Sequence, residues 1–277
     1  MFALPIDRPA LMGIVNVTPD SFSENGLNYD PYDAVEAGKR MMDEGADILD
    51  VGGESTRPGA ATVDAEEELR RVIPVIEGLV ALGAKVSVDT RKSEVARRAL
   101  SIGATIVNDV TALGDPAMLA CCTKARSAVC LMHMQGGPET MQRQPYYDDV
   151  VSEVLKFLLE RADLALKAGI TQSQIWLDPG IGFGKTPMHN LLLLNHLSTF
   201  VATGFPIMIG VSRKSSIGVY AGGAPVDQRL PGTLAAQVLG QAAGVRIVRA
   251  HDVKEARQAI DVAGAILKPS SFSKRPA

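Results

Sequence analysis

Eight short apolar runs rich in β-branched residues, each followed by a polar loop and an amphipathic helical pattern, predict one (β/α)8 (TIM) barrel domain over residues 1–277. The length fits: at about 150 residues per domain two domains would be expected, but α/β barrels of about 250 residues form one. No linker or low-complexity stretch divides the chain. A third observation is positional: the apolar runs end in charged or amide side chains, and do so at their C-terminal ends.

The runs lie at 11–17, 48–51, 85–89, 106–110, 128–134, 175–178, 206–211 and 246–250. Helical patterns follow at 33–44, 65–81, 93–100, 116–124, 149–167, 189–200, 232–242 and 253–266. Both faces of the runs are apolar, as parallel strands covered by helices require, and strand alternating with helix implies right-handed crossovers. The structural alternative is a doubly wound open sheet, which needs a Gly-rich phosphate loop after the first strand. Here the first run continues into Asn16-Val17-Thr18-Pro19-Asp20. Gly45, Gly83, Gly103 and Gly169 each follow a helix and read as C-caps with positive φ. Glu66-Glu67-Glu68 reads as a solvated helix start that complements the macrodipole.

Composition excludes several classes. The formal net charge is -3, so no basic footprint for nucleic acid exists. With 46% apolar and 21% charged residues the chain can bury a large core, yet no apolar run approaches the ~20 residues of a membrane span. The N-terminus lacks a charged-then-apolar signal pattern, and a cytoplasmic location is expected. Cys121, Cys122 and Cys130 have no framework spacing and read as buried, inert thiols.

In strand order the polar ends are Asn16, Asp50, Asp89, Asn108-Asp109, His133, Asp178, Ser212-Arg213-Lys214, and Arg249 with His251 and Asp252. In a (β/α)8 barrel these ends converge on one mouth, where active sites lie. A single polar end is explained by helix capping; eight together are not. Period-2 alternation refines the set: Arg249 shares a face with His251, Asn108 with Ile106, and Asp89 with Ser87. Asp109 takes the opposite parity and reads as a helix N-cap or a supporting group. Trp176 and Asp178 share a face and should both point into the barrel.

Two chemistries mix in this set. Arg57, Lys214, Arg249 and His251 suit a polyanion such as pyrophosphate. Asp89, Asn108 and Asp178 suit a heterocycle with paired donors, because a carboxylate accepts two N–H bonds and an Asn both donates and accepts. Asn16 offers a hard oxygen for Mg2+, which keeps waters and bridges phosphates. The loops at 18–22 and 52–59, with Phe22 and the stiffening Pro58, read as lids over the mouth. His189 and His196 read as surface or packing residues, and Met41-Met42 as core.

N-V-T-P-D-S-F at 16–22, D-V-G-G-E-S-T-R-P-G at 50–59, S-V-D-T at 87–90, N-D at 108–109, L-M-H-M at 131–134, D-P-G-I-G-F-G-K at 178–185, S-R-K-S at 212–215 and R-A-H-D at 249–252 together resemble the signature set of the dihydropteroate synthases. The ordered match runs from about residue 10 to 265. The resemblance implies a reaction that joins dihydropterin pyrophosphate to p-aminobenzoate, with Mg2+, by a dissociative route. It implies pterin-binding roles for Asp89, Asn108, Met132, Asp178, Phe183, Lys214 and Arg249. It implies pyrophosphate binding by Asn16, Thr56, Arg249 and His251, with Asn16 as the metal ligand. The aminobenzoate pocket would comprise Phe22, Thr56, Arg57, Pro58, Ser212 and Lys214, where sulfonamides would compete. Asp89, Asp178, Lys214, Arg249 and His251 would carry the catalysis, and the likeness implies a homodimer through outer helices, with Ala/Gly-rich 235–244 suited to close contact. One departure is Glu24-Asn25-Gly26, where relatives often carry Asp-Gly-Gly; Asn tolerates a left-handed turn nearly as Gly does.

The alternatives separate on residues. A pterin-binding methyltransferase would keep positions like Asp89, Asn108 and Asp178 but has no use for the Ser-Thr-Arg-Pro loop or the Ser-Arg-Lys-Ser block. An inactive homologue should have lost one of Asn16, Lys214, Arg249 or His251, and none is missing. A generic phosphate-site barrel lyase or isomerase would release no pyrophosphate in response to p-aminobenzoate.

Overall fold

The computed structural model describes residues 3–18, 30–55, 59–60, 62–137 and 140–269. In chain order these form β1 (Ala10–Asn16), α1 (Pro31–Asp43), β2 (Ile48–Gly52), α2 (Ala65–Ala81), β3 (Val86–Asp89), α3 (Ser93–Ser101), β4 (Ile106–Asp109), α4 (Met118–Ala125) and β5 (Ala128–Met132). There follow α5 (Val150–Lys167), β6 (Ile175–Asp178), α6 (Pro187–Asn195), α7 (Leu197–Val201), β7 (Met208–Ile209), α8 (Ser215–Tyr220), α9 (Leu230–Ala242), β8 (Ile247–Ala250) and α10 (Val253–Leu267). All strand pairs are parallel, in the order β6-β5-β4-β3-β2-β1-β8-β7. A single parallel bridge between Leu177 and Ile207 joins β6 to β7 and brings the ring to closure.

Local chemistry explains the helix starts. The Asp64 carboxylate accepts from Glu67 N to cap α2, and the Asp149 carboxylate accepts from Val151 N and Ser152 N to cap α5. Thr186 and His189 form a capping box on α6. The four glycines expected as C-caps have φ of 100°, 82°, 115° and 94° at Gly45, Gly83, Gly103 and Gly169.

Strand alternation divides the apolar residues into two cores. Ala10, Met12, Ile48, Ile106, Ala128, Cys130, Trp176, Met208 and Ile247 fill the barrel interior. Their strand neighbours, such as Leu11, Leu49, Val88, Val107, Leu131 and Leu177, pack outward beneath the helices. Trp176 is the bulkiest interior side chain and is 1% exposed, so it plugs the barrel as its parity predicts. Met41 and Met42 are partly buried against the outer core. Burial pushes all three thiols up, Cys122 to about 12, so they are poor nucleophiles.

The structure departs from the sequence reading in four places. The pattern at 189–200 is two helices, broken at His196, where φ is -105° and ψ is 23°. The Leu run at 191–194 is apolar on every side, so periodicity does not mark where the buried face turns; the break buries Leu197 and Phe200. The run at 206–211 shortens to the two-residue β7, beside the single-bridge closure. The short helix α8 was not expected. Glu68 is not solvated: it is fully buried and its carboxylate takes the Lys92 ammonium, which also reaches Glu54 at 2.7 Å.

Candidate active site

The alternation that places Trp176 inside the barrel continues to the C-terminal mouth with polar residues. Asn16 ends β1, Asp50 lies on β2, Ser87 and Asp89 on β3, Asn108 on β4, Met132 on β5, Asp178 on β6 and Arg249 on β8. Arg249 ties the ring together: its Nε donates to Asp50 Oδ2 at 2.7 Å and its Nη2 to Asp89 Oδ2 at 2.8 Å. Asn108 Nδ2 donates to the same Asp50 oxygen at 2.9 Å. Asp50 Oδ1, Asn108 Oδ1 and Ser87 Oγ are buried with no hydrogen-bond partner among the described residues. Buried acceptors left open in this way are disfavoured unless something else completes them, which marks the mouth as a polar binding surface rather than a sealed core.

The charges are strongly perturbed. Burial pushes Asp89 up to about 7; Arg249 opposes this, while the carboxylates of Asp50, Glu68 and Asp109 add to it. Burial also raises Asp178, against Lys214, the Gly180 N–H, Lys185 and Arg249. Lys214 is lowered to about 8 by burial, with Asp178 opposing and Arg249 reinforcing the fall. Three carboxylates and two cations therefore share a poorly solvated space, the pattern in which acid–base and electrostatic chemistry is found.

A glycine-rich loop shapes one wall. Asp178 Oδ1 accepts from Gly180 N at 2.7 Å, and His133 N donates to Asp178 O at 3.0 Å. Gly180 has φ of 69°, and a Cβ there would sit 1.9 Å from His133 O. Gly180→Ala is therefore expected to destabilise the fold by about 3 kcal/mol, through strain and a backbone clash together. Urea unfolding checks this; an unchanged midpoint would mean that the loop does not press on β5. Further along, Lys214 Nζ donates to Ile181 O and stands 4.4 Å from the Phe183 ring centroid. Lys185, almost fully buried, reaches His133 Nδ1 at 2.9 Å, Phe183 O at 3.0 Å and His133 O at 3.3 Å.

On the opposite wall Ser212 Oγ meets His251 Nδ1 at 3.0 Å and accepts from His251 N at 3.2 Å. Arg213, with φ of 55°, turns away to a bidentate pair with Asp252. Those two residues are spent on each other and leave the mouth to Lys214 and His251.

Asp89, Asn108, Asp178, Lys214 and Arg249 are thus coupled in one charged mouth, with Met132 and Phe183 on the β5–β6 side and Ser212 with His251 beyond β7 and β8. Phe22, Glu24, Thr56, Arg57 and Pro58 lie outside the described residues. His133 does not join the mouth: its odd parity turns it outward, its ring packs edge-on against Phe157 at 5.0 Å, and it holds Lys185. Asp109 also faces outward, but it is no helix cap. It accepts from Thr111 N, Thr111 Oγ1 and Leu113 N, folding a loop whose Ala112 and Leu113 have positive φ. His189 serves the α6 cap and packs on Tyr147, and His196 Nδ1 lies 2.8 Å from Leu192 O, so neither belongs to the site. Asp50 counted among the polar strand ends in the sequence but received no role there; its parity with the interior Ile48 was the available signal.

Paired carboxylates, a carboxamide and two cations at the C-terminal mouth of a closed parallel barrel define an enzyme of the (β/α)8 class. A family model described as "Pterin binding enzyme" matches residues 12–251. The dihydropteroate synthase of Escherichia coli (strain K12) is 47% identical over 266 residues, covering 96% of this chain and 94% of that protein. A structure of Yersinia pestis dihydropteroate synthase with a sulfonamide drug complex superposes with a TM-score of 0.90 at 42% identity, covering 96% of each chain. One from Xanthomonas albilineans, in complex with 7,8-dihydropteroate, gives 0.85 at 44% identity, covering 99% of this chain and 97% of that one. The chain belongs to the dihydropteroate synthases within the pterin-binding enzyme family.

Proposed function

We propose that this protein condenses dihydropterin pyrophosphate with p-aminobenzoate to give 7,8-dihydropteroate and pyrophosphate. The observation that carries the reading is the inward-facing set of Asp89, Asn108, Asp178, Lys214 and Arg249, with buried acceptors left open at Asn108 and Asp50. A pterin head presents ring N–H and amino donors, which Asp178, Asp89 and the open Asn108 Oδ1 can accept. Met132 and Phe183 provide apolar packing for the ring, and Lys214 holds a cation at its edge. Arg249 and His251 take the pyrophosphate with Asn16, and the resemblance adds Thr56 to this role. The resemblance to the family assigns Phe22, Thr56, Arg57 and Pro58, with Ser212 and Lys214, to p-aminobenzoate binding. A Xanthomonas relative solved with 7,8-dihydropteroate and a Yersinia relative solved with a sulfonamide drug complex support the reading that the mouth takes ligands of these classes.

The reaction proceeds by departure of the pyrophosphate first. Cleavage of the C–O bond leaves positive charge on the methylene carbon, delocalised into the pterin ring. Asp178 and Asp89, fixed in a poorly solvated mouth, stabilise that charge without reorganising. Arg249 and His251 stabilise the leaving group. The aniline nitrogen is already a competent nucleophile, so attack needs no strong general base. Among the described residues no cluster of three acidic, His or Cys ligands exists that would hold a metal by protein alone. The Asn16 carboxamide at the mouth would hold a Mg2+, an ion that needs few protein ligands. Such an ion supplies charge neutralisation to the departing pyrophosphate.

The decisive experiment is pyrophosphate release from dihydropterin pyrophosphate and Mg2+, with and without p-aminobenzoate. Release that depends on p-aminobenzoate is expected; no release while pterin still binds would overturn the assignment. Trp176 gives a second check, because it lies two residues before Asp178 on the same face. Its emission is expected to change at saturating dihydropterin pyrophosphate, and unchanged emission would count against a pterin head at Asp178.

A homodimer completes the reading. Leu239 on α9 and Val262 and Ile266 on α10 are 70%, 55% and 72% exposed, and α9 packs on α10, so the pair presents apolar side chains that a second copy would cover. No helix among the described residues is long and apolar enough to cross a membrane, and we assign the protein to the cytoplasm.

A further inference from the structure

Lys185 is a buried lysine that the reaction above does not use. It is 2% exposed, and its ammonium faces three acceptors: His133 Nδ1 at 2.9 Å, Phe183 O at 3.0 Å and His133 O at 3.3 Å. Three acceptors for three N–H protons complete an ammonium, whereas a neutral amine would leave one acceptor unmet. Burial and the Lys185 charge lower His133 to about 3 and keep the imidazole neutral, and in the tautomer protonated at Nε2 its Nδ1 accepts from the ammonium. The acceptors bind two adjacent segments. His133 follows β5 and donates its own N–H to Asp178 O; Phe183 belongs to the loop that follows Asp178. Lys185 therefore clamps the Asp178 loop to β5 from behind the mouth.

We infer that Lys185 is a positioning residue whose buried charge keeps the Asp178 carboxylate ionised and in place while Lys214 and Arg249 face the substrates. The inference rests on the catalytic reading of Asp178 given above. Asp178 is raised by burial, and the cations acting against that are Lys214, Lys185 and Arg249. Two of them stand in the mouth, where substrate charge competes for them. Lys185 alone of the three is tied wholly to protein acceptors, so its effect persists when ligands bind. Burial lowers Lys185 to about 7, Asp178 opposes that fall, and Lys214 adds to it. His133 and His189 are the other titratable groups in its field, both lowered by burial and by its charge, and the Tyr147 hydroxyl closes the same wall on Gly184 O. With His133 in the Nε2-protonated tautomer, the three contacts match the three N–H bonds of the charged form.

The test separates charge from tether. Lys185→Gln retains N–H donors for the carbonyls but removes the charge, and Lys185→Arg retains the charge. The readout is the pH profile of kcat for p-aminobenzoate-dependent pyrophosphate release. With Gln the acid limb is expected to move upward by about one pH unit, so that activity well below the limb falls up to about tenfold relative to that at pH 8.5. With Arg the limb should stay near its original position. In an Asp178→Asn background, Lys185→Gln should change the affinity for dihydropterin pyrophosphate less than twofold, because the charge it supports is already gone. A Gln profile scaled equally at every pH, or a full additional loss in the Asp178→Asn background, would overturn the inference and leave Lys185 a structural tether. If Gln does not fold, the Arg profile decides: an acid limb displaced despite the retained cation has the same consequence. Absence of pyrophosphate release from the unsubstituted protein would instead sink the proposed reaction itself.

Discussion

Asp178→Asn is expected to lower kcat by at least about 10²-fold while leaving the barrel folded. The substitution is nearly isosteric, and an amide oxygen can still accept from Gly180 N, which the carboxylate meets at 2.7 Å. What disappears is the negative charge opposite the developing cation. The sign of the stability change separates this from damage. Burial raises the Asp178 carboxyl in the folded state. A carboxyl raised on folding stabilises most at low pH, where both states hold the proton, and loses that contribution as pH rises through the folded value. The neutral amide removes this penalty, so the variant should unfold at the same or higher denaturant concentration than the parent at pH 8. Pyrophosphate-release kinetics and urea unfolding measured on the same sample check both halves. A near-normal kcat would end the electrostatic role for Asp178.

Arg249→Met is expected to cost both function and stability. The guanidinium binds Asp50 at 2.7 Å and Asp89 at 2.8 Å, and Asp50 is fully buried. Removing one partner of a buried ion pair leaves an uncompensated charge, typically about 3–5 kcal/mol. The loss should depend on pH. Burial already pushes Asp89 up to about 7 against the Arg249 charge, so without that charge the carboxyl takes up its proton still more readily. A raised carboxyl is relieved at low pH and penalised as pH rises, so destabilisation should be larger at pH 8 than at pH 5. Adding Asp50→Asn to Arg249→Met is expected to recover part of the loss at pH 8. Turnover should fall by at least about 10³-fold, since Arg249 also faces the leaving group. Equal destabilisation at both pH values would show that lost packing, rather than unpaired carboxylates, dominates.

Much of this site is legible in the chain because a strand side chain alternates between faces. Once Ile106, Trp176 and Ile247 are placed inside the barrel, Asn108, Asp178 and Arg249 must point into its mouth, and they do. The same rule set Asp109 apart. It also offered Asp50, two residues after the interior Ile48, but a lone carboxylate on a strand does not announce its partner. Asp50 acquires meaning through Arg249, which lies 199 residues away in sequence. Glu68 reads as one of three solvated acids at a helix start until Lys92, 24 residues on, folds against it. His133 was grouped with the mouth by its place at a strand end, although its parity already sent it outward.

By itself the sequence determined the alternation of strands and helices, the parallel barrel, the inward face of each strand and the family. These are local or ordered properties, set by side-chain period, capping residues and motif order along the chain. Tertiary structure alone decided which charges meet: Arg249 with Asp50 and Asp89, Lys214 with Ile181 and the Phe183 ring, and Lys185 with His133. It also decided the break at His196 and the shortening of β7. The physical reason is that charge pairing and burial depend on distance in space, which barrel closure brings to a few ångströms for residues far apart in sequence, while periodicity reports only which way each side chain faces.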